Sequence, residues 1–300
     1  MTSVPYEQPP PREGLGRRLS RYFYRHPRLS LALLLAVPLG WLVVAYLGSL
    51  FVLLLASVWT TDPFTSEVVH TYTFDNFRRI FDEPVYRDVA WRTIRMAGLV
   101  TIADAVLAFP IAYYMARVAS PRTRNLLVVG VLVPLWASYL VKAYAWRTIL
   151  SGAGVLNWAL GPLGVSFDGY SEVGLWLVFT YLWLPFMILP VYAGLERIPD
   201  SVLEASADLG GRSLRTFSRV TLPLAFPAVV AGSIFTFSLT LGDYIAPQLV
   251  SSKQFIGNVV FANVGVANNL PLAAAFATVP VVVMVIYLLV ARRLGAIEQL

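Results

Sequence analysis

LSLALLLAVPLGWLVVAYLGSLFVLLLASVWTT, running from Leu29 to Thr61, holds no charged residue. A helix needs about 20 apolar residues to cross roughly 30 Å of hydrocarbon, and this run exceeds that length. A soluble core helix has no use for so long an uncharged stretch, so the chain is expected to enter a membrane. Pro38 and the glycines Gly40 and Gly48 sit inside the run. An interior proline costs a soluble helix about 3 kcal/mol. Bundled membrane helices tolerate it because neighbouring groups re-satisfy the freed carbonyl.

Outward from this run, the whole composition agrees. Apolar residues make up 57% of the 300 and charged residues 13%, with a mean hydropathy of +0.67. A soluble domain is nearer 45–50% apolar and about 25% charged. The chain has no cysteine, which excludes disulfides, iron–sulfur clusters and thiolate zinc sites. The two histidines, His26 and His70, are too far apart in sequence to suggest a metal cluster.

Five further apolar runs give six expected spans, near 30–58, 93–116, 125–146, 173–195, 223–248 and 270–291. The expected fold is an all-α membrane protein with six transmembrane helices. The third run is the least regular, because Lys142 interrupts it. Each later run also carries proline: Pro110, Pro134, Pro185 with Pro190, Pro227 with Pro247, and Pro280. Fifteen of the 23 arginines and lysines fall in 1–29, 117–124, 196–222 and the tail. By the positive-inside rule those segments and both termini are cytoplasmic. The organisation expected is a cytoplasmic tail 1–29, a membrane domain 30–291 with a long loop at 196–222, and a tail 292–300. Arg17-Arg18 could suggest a twin-arginine export signal, but the apolar run that follows is longer than a signal-peptide core of about 7–15 residues. No repeat of 20–50 residues stands out.

The 196–222 loop contains Glu204-Ala205-Ser206-Ala207-Asp208-Leu209-Gly210, then Arg212, and later Val220-Thr221-Leu222-Pro223. Asp200 or Ser201 can cap a helix, with Glu204 at capping-box distance from Ser201. That helix covers 202–209, stops at Gly210-Gly211, and a second helix runs from Arg212 to Val220. Leu203, Ala207 and Asp208 project from neighbouring faces, and the small residues at 205–207 permit close approach to another surface. Without a partner, the same stretch reads as an amphipathic loop.

This segment resembles the EAA signature of importer permeases in the ATP-binding-cassette (ABC) superfamily, E-A-A-x3-G-x9-I-x-L-P. Ser206 stands for the third letter and Val220 for the isoleucine. Over about residues 30–295 the chain resembles membrane subunits of type I ABC importers, and more narrowly the spermidine/putrescine permeases. Three stretches carry the narrower likeness. Tyr72 to Phe81 resembles the first outer loop of that group. Pro134 to Trp146 resembles P-x-W-x-S-x-L-V-R-x-Y-A-W, with Lys142 in place of arginine, which keeps charge but loses the bidentate fork. Leu241 to Leu249 resembles L-G-[DE]-[FY]-x-x-P-x-L.

The resemblance implies a type I permease fold whose cytoplasmic helical knob docks on an ATPase. The expected ATPase-coupling residues are Glu204, Ala205, Ser206, Asp208, Leu209, Gly210, Arg212, Leu222 and Pro223. It further implies a second permease subunit, non-identical to this one, two ATP-binding-cassette subunits and an extracytoplasmic solute-binding protein, in the cell membrane of a prokaryote. Beyond these the chain meets membrane lipid, and no nucleic acid is implied. The partner ATPase would use ATP and Mg; this chain is expected to bind no cofactor. Its lysines, Lys142 and Lys253, precede alanine and glutamine, so there is no phosphate-cradling G-x4-G-K-[ST] loop. The chain is therefore not expected to be an enzyme.

Charges within hydrocarbon are rare and face a bundle interior or a pathway. Asp104 and Asp243 are the candidates. Asp243 beside Tyr244 offers a polyammonium solute an ion pair and a cation–π face; alternatively it pairs internally with Lys142 or Arg95. Trp136, Tyr139, Tyr144 and Trp146 could wall the same path, or sit at the membrane interface as such residues often do. Asp104 reads as structural, bonded to an amide or to an arginine of a neighbouring span. Other small solutes (organic cations, metal chelates, phosphonates) fit the same machinery. An ion-coupled transporter using Asp104 and Asp243 as a relay is the alternative class. Nothing within the spans has the residues of an intramembrane enzyme.

Overall fold

The computed structural model describes residues 24, 26–62, 64–164 and 168–293. Most of the expected tails, 1–29 and 292–300, therefore lies outside the described residues. Among the described residues five helices are long and apolar enough to cross a membrane, and there are six such spans if one pair bent by 94° is counted as a single broken span.

The chain divides into two compact units, one ending at Leu55 and one beginning at Ala56. The first is the leading span: α1 (Pro27–Trp41), a widened π turn (Leu42–Leu47) and α2 (Gly48–Ala56, whose last residue opens the second unit). The π turn starts four residues after Pro38, whose ring cannot donate a backbone bond and crowds the carbonyl one turn back.

The second unit opens with an antiparallel hairpin, β1 (Thr60–Thr61) against β2 (Val68–Val69). Asp62 caps its turn by accepting from the Phe64 and Thr65 amides at 2.8 and 3.0 Å. Those two amides, Thr65 foremost, hold the Asp62 carboxyl below its ordinary range. Next come α3 (Asp75–Asp82) and α4 (Pro84–Tyr113), which widens into a π turn at Tyr114–Val118, again four residues after a proline, Pro110. Then follow α5 (Pro121–Trp136), α6 (Tyr139–Leu150), α7 (Val155–Leu160) and α8 (Glu172–Glu196). The remaining elements are α9 (Asp200–Asp208), α10 (Ser213–Thr216), a π turn Phe217–Thr221, α11 (Leu222–Gly242), α12 (Ile245–Val250), α13 (Ile256–Gly265) and α14 (Leu270–Arg293).

The core is the mutual packing of α4, α8 and α11. Apolar burial does not drive helices together in lipid, so close approach and van der Waals contact must. Gly194 shows this: a Cβ there would lie 2.2 Å from the Ala228 Cβ on α11. Toward the end carrying the 196–222 loop, Ala108, Ala112 and Met115 of α4 and its π turn meet Met187, Val191 and Leu195 of α8. Toward the other end, Met96 and Val100 meet Phe179, Leu182 and Trp183. Between them, hydroxyls bond across helices: Thr236 to Thr101 at 3.4 Å, and Ser233 with Tyr287 at 2.6 Å. Such bonds contribute about 0.6 kcal/mol each in a membrane bundle.

Two expected spans are interrupted. The third, expected as continuous over 125–146, breaks after Trp136, and the helical segments Pro121–Trp136 and Tyr139–Leu163 bend 94° apart. Pro134 removes one backbone bond from the last turn of α5, and Ala137 and Ser138 then run extended. The fifth, expected to reach 248, stops at Gly242 because Asp243 is extended and starts a new helix, α12.

Candidate functional site

The knob follows from local chemistry. Helix α9 begins at Asp200 behind Pro199, which has no side chain able to cap; the expected cap and capping box at Asp200, Ser201 and Glu204 do not form. At its other end Gly210 adopts φ +77°, a conformation in which a Cβ is strained. The Gly210 amide donates to the Ala207 carbonyl at 2.8 Å, and the Gly211 amide to the Ser206 carbonyl at 2.9 Å. This pair of bonds is a Schellman closure. Ser206 Oγ lies 2.9 Å from Thr216 Oγ1, tying α9 to α10. A Cβ on Gly211 would fall within 2.5–2.8 Å of the same Ser206 and Thr216 atoms. The knob is thus closed on itself, and Glu204, Ala205, Asp208 and Arg212 stay exposed. Its apolar tips are the most open: Leu209 is 89% and Leu214 79% exposed. Leu214 lies beside Arg212, Arg215 and Arg219 in one surface cleft. Leu222 and Pro223 open the first turn of α11.

The corner where α8 meets α9 is held by arginines that sequence reasoning counted only as charges. Arg117, in the π turn that ends α4, has only 12% of its side chain exposed. It donates to Asp200 Oδ1 at 2.7 Å and to the Leu195 and Ile198 carbonyls, both at 2.6 Å. Arg124 of α5 donates to the Met115 and Ala116 carbonyls and to Glu196, which also accepts from Tyr192 at 3.0 Å. The only signal in the sequence was that α8 ends without a basic residue of its own in its last turn.

Near the opposite end the two interrupted spans meet. Asp243 Oδ1 accepts from the Ile245 and Ala246 amides at 2.8 and 3.1 Å, and Oδ2 accepts from the Tyr139 hydroxyl. Asp243 therefore pairs with neither expected cation: Arg95 bonds Glu172, and Lys142, half-buried, has no carboxylate within ion-pair range among the described residues. Tyr139 stacks on Trp183, centroids 6.0 Å apart, and Trp146 tilts against Tyr181 at 5.2 Å. Tyr244 stacks on Phe261 at 4.8 Å, and its carbonyl accepts from Asn258 at 2.8 Å. Of the six residues expected there, the structure joins Asp243 directly to Tyr139. Trp146 lies in the same apolar cluster as Tyr139 and Trp183. Trp136, 90% exposed, and Tyr144 face outward. Trp183 and Asn258 were not anticipated.

Asp104 stands apart. It is 0% exposed at the centre of α4, and neither oxygen has a hydrogen-bond partner among the described residues. The expected bond to an amide or an arginine does not form. A relay with Asp243 has no bonded link through the described residues either.

The chain is similar to known proteins in sequence and in fold. The profile described as "Binding-protein-dependent transport system inner membrane component" matches residues 108–297. The inner membrane ABC transporter permease protein YdcU of Escherichia coli (strain K12) is 48% identical over 309 aligned residues, covering 98% of each chain. The spermidine/putrescine transport system permease protein PotB of the same organism is 31% identical over 261 residues, 85% of this chain and 94% of PotB. A chain of a bacterial ABC transporter involved in import of the acidic polysaccharide alginate superposes with a TM-score of 0.66 at 18% identity, over 92% of this chain and 99% of that one. At that identity the likeness concerns the fold alone. The chain belongs to the binding-protein-dependent transport system inner membrane component family, and is a permease subunit of an ABC importer with the type I fold.

Proposed function

We propose that this permease carries a polyamine-type solute, spermidine or putrescine, inward across a prokaryotic cell membrane. An extracytoplasmic binding protein delivers the solute, and the work comes from two ATPase subunits docked on the knob at 200–212 of this chain and the matching knob of a second, non-identical permease. Both termini and the knob are cytoplasmic in this reading, consistent with the arginine distribution. ATP and Mg belong to the ATPase subunits. The similarity to PotB supports the solute class.

The observation that carries the solute reading is Asp243. A carboxylate offers about four lone-pair sites, and the structure fills three, with two amides and one hydroxyl. One acceptor remains at a half-buried break walled by Tyr139 and Trp183, where an ammonium can take an ion pair and an aromatic face. A second reading has its own observation. Lys142 lies three residues from Tyr139 with no ion-pair partner among the described residues, which favours an anionic solute.

The test is uptake of labelled spermidine and putrescine in cells with and without this gene, under normal and ATP-depleted conditions, together with Asp243→Asn. ATP-dependent polyamine uptake that vanishes with the gene, and falls at least about tenfold in Asp243→Asn, establishes the reading. Uptake that persists without ATP points to ion coupling. Polyamine uptake indifferent to the gene, with an anionic solute lost instead, installs the second reading.

A further inference from the structure

We infer that Arg117 is a positioning residue for transport: it locks the knob helix α9 to the end of α4, so that the two move as one body. This rests on the coupling reading above and does not depend on which solute is carried.

A charged side chain this buried needs a reason. Arg117 sits in the π turn Tyr114–Val118, and its guanidinium crosses to a corner more than 75 residues later in the chain. There it performs two tasks at once. Its Nη2 donates to the Leu195 carbonyl in the last turn of α8, which also accepts the Ile198 amide at 3.3 Å, and to the Ile198 carbonyl just beyond. Its charge meets the negative end of the helix dipole. Its Nη1 holds Asp200, the first residue of α9. Because α9 has no side-chain cap, that ion pair is the one side-chain tie at its start among the described residues. The planar fork spreads these bonds over two nitrogens, Nη1 for the carboxylate and Nη2 for the two carbonyls, whereas a lysine's three donors all radiate from one nitrogen.

Arg124 makes the corresponding tie on the other side of the corner. It caps the Met115 and Ala116 carbonyls of the same π turn while bonding Glu196 at the end of α8. Ala116, Arg117, Arg124, Glu196, Ile198 and Asp200 border one cleft of about 410 Å³. Beneath it, Ile198 and Leu195 are buried against Ala112, Met115 and Ala116. The α4–α5 turn and the α8–α9 corner are therefore joined by packing below and by arginines above. A displacement of α9 reaches the end of α4 through the Arg117–Asp200 ion pair and the buried Ile198 just before α9, and α4 packs against both α8 and α11.

The chain lacks cysteine, so it contributes no background to spin labels placed on it, provided the partner subunits are made free of reactive cysteine. Labels at the exposed positions Arg122→Cys and Ser201→Cys, in the complete transporter with its ATPase subunits, report the distance across the corner by double electron–electron resonance. The expected result is the same narrow distance in nucleotide-free and ATP-bound states, and a broadened, nucleotide-dependent one when Arg117→Gln is added. A wild-type distance that shifts by more than about 5 Å, one helical turn, between states overturns the inference, as does an Arg117→Gln distribution identical to wild type. The first criterion needs no variant of Arg117, so a misfolded variant does not spare the idea. In parallel, Arg117→Gln is expected to lower transport per ATP hydrolysed about tenfold at an unchanged amount of assembled complex. A loss of complex with unchanged transport per complex assigns Arg117 a purely structural role. Should the label at Ser201 be indifferent to added ATPase, it is the coupling reading that fails, and the distance across the corner still judges Arg117.

Discussion

The knob at 200–221 and the double break at 137–138 and 243–244 are both places where a helix stops, and they stop for opposite reasons. The knob is closed by its own residues. Gly210 turns the chain, two amides reach back to the last turn, and Ser206 bonds Thr216 ten positions on. Its outer surface is left open to solvent. The double break is closed by residues that are remote in sequence: Tyr139 donates to Asp243 across 104 positions, and Asn258 holds the Tyr244 carbonyl. A stop made locally frees its outer face for a partner. A stop made by tertiary contacts commits its side chains to the fold, and can offer a solute only what those contacts leave over.

The largest effect expected to test that contrast comes from Asp243→Ala. It strands two amides and a hydroxyl at once. The lost cap costs about 1 kcal/mol, and the unpaired Tyr139 hydroxyl about 1–3 kcal/mol more. Unfolding of the purified protein in detergent should show a loss of about 3 kcal/mol. Asp243→Asn keeps an acceptor for the amides and lets the Tyr139 hydroxyl turn to accept, so it should lose less than about 1 kcal/mol. Equal losses for the two would mean that the charge, not the hydrogen-bonding hub, holds the break.

Gly210→Ala comes next. A Cβ at φ +77° costs about 1–2 kcal/mol, and because the closure is local the cost should fall on the knob alone. Hydrogen exchange is the suitable probe: amides of Gly211 and its neighbours should lose protection while those of α8 and α11 keep theirs. Global destabilisation would show that the knob is not a self-contained unit.

The same contrast explains what the sequence could reveal. Five of the expected spans were visible as single apolar helices, because hydropathy over 20 residues needs no knowledge of neighbours; the expected 173–195 and the observed Glu172–Glu196 differ by one residue at each end. The glycine stop of α9 was equally visible, since only local geometry decides it. The break after Trp136 was not, although Pro134 was in view. Proline occurs within five other spans here and ends none of them, so what distinguishes Pro134 is its place one turn before an extended Ala137-Ser138. The end of α11 at Gly242 was hidden for a similar reason: Asp243 reads as a charge in an apolar run, and its use as a cap is a matter of which amides it finds. Arg117 was counted for topology, yet its carbonyl partners lie on a helix end that sequence spacing does not bring near it.

Ser206→Ala is a smaller change. It removes one hydroxyl bond between α9 and α10, worth about 1 kcal/mol net, and places at 206 the alanine that the related signature carries. Exchange at the start of α10 should quicken modestly, with transport retained. Loss of transport would raise the Ser206–Thr216 bond from a brace to a requirement.

Glu204→Lys should change stability least and function most. Glu204 is exposed, and an exposed substitution of this kind usually stays within about 0.5 kcal/mol. If the knob is a docking surface, reversing its charge at the centre of α9 should leave the subunit inserted and as stable as before while abolishing uptake and weakening capture of the ATPase subunit. The contrast with Asp243 then becomes sharp, because the break would lose its fold where the knob loses only its partner. Wild-type uptake in Glu204→Lys would remove α9 from the coupling surface. A fall in stability to match the fall in uptake would mean that the exposed face of the knob is used within the chain after all.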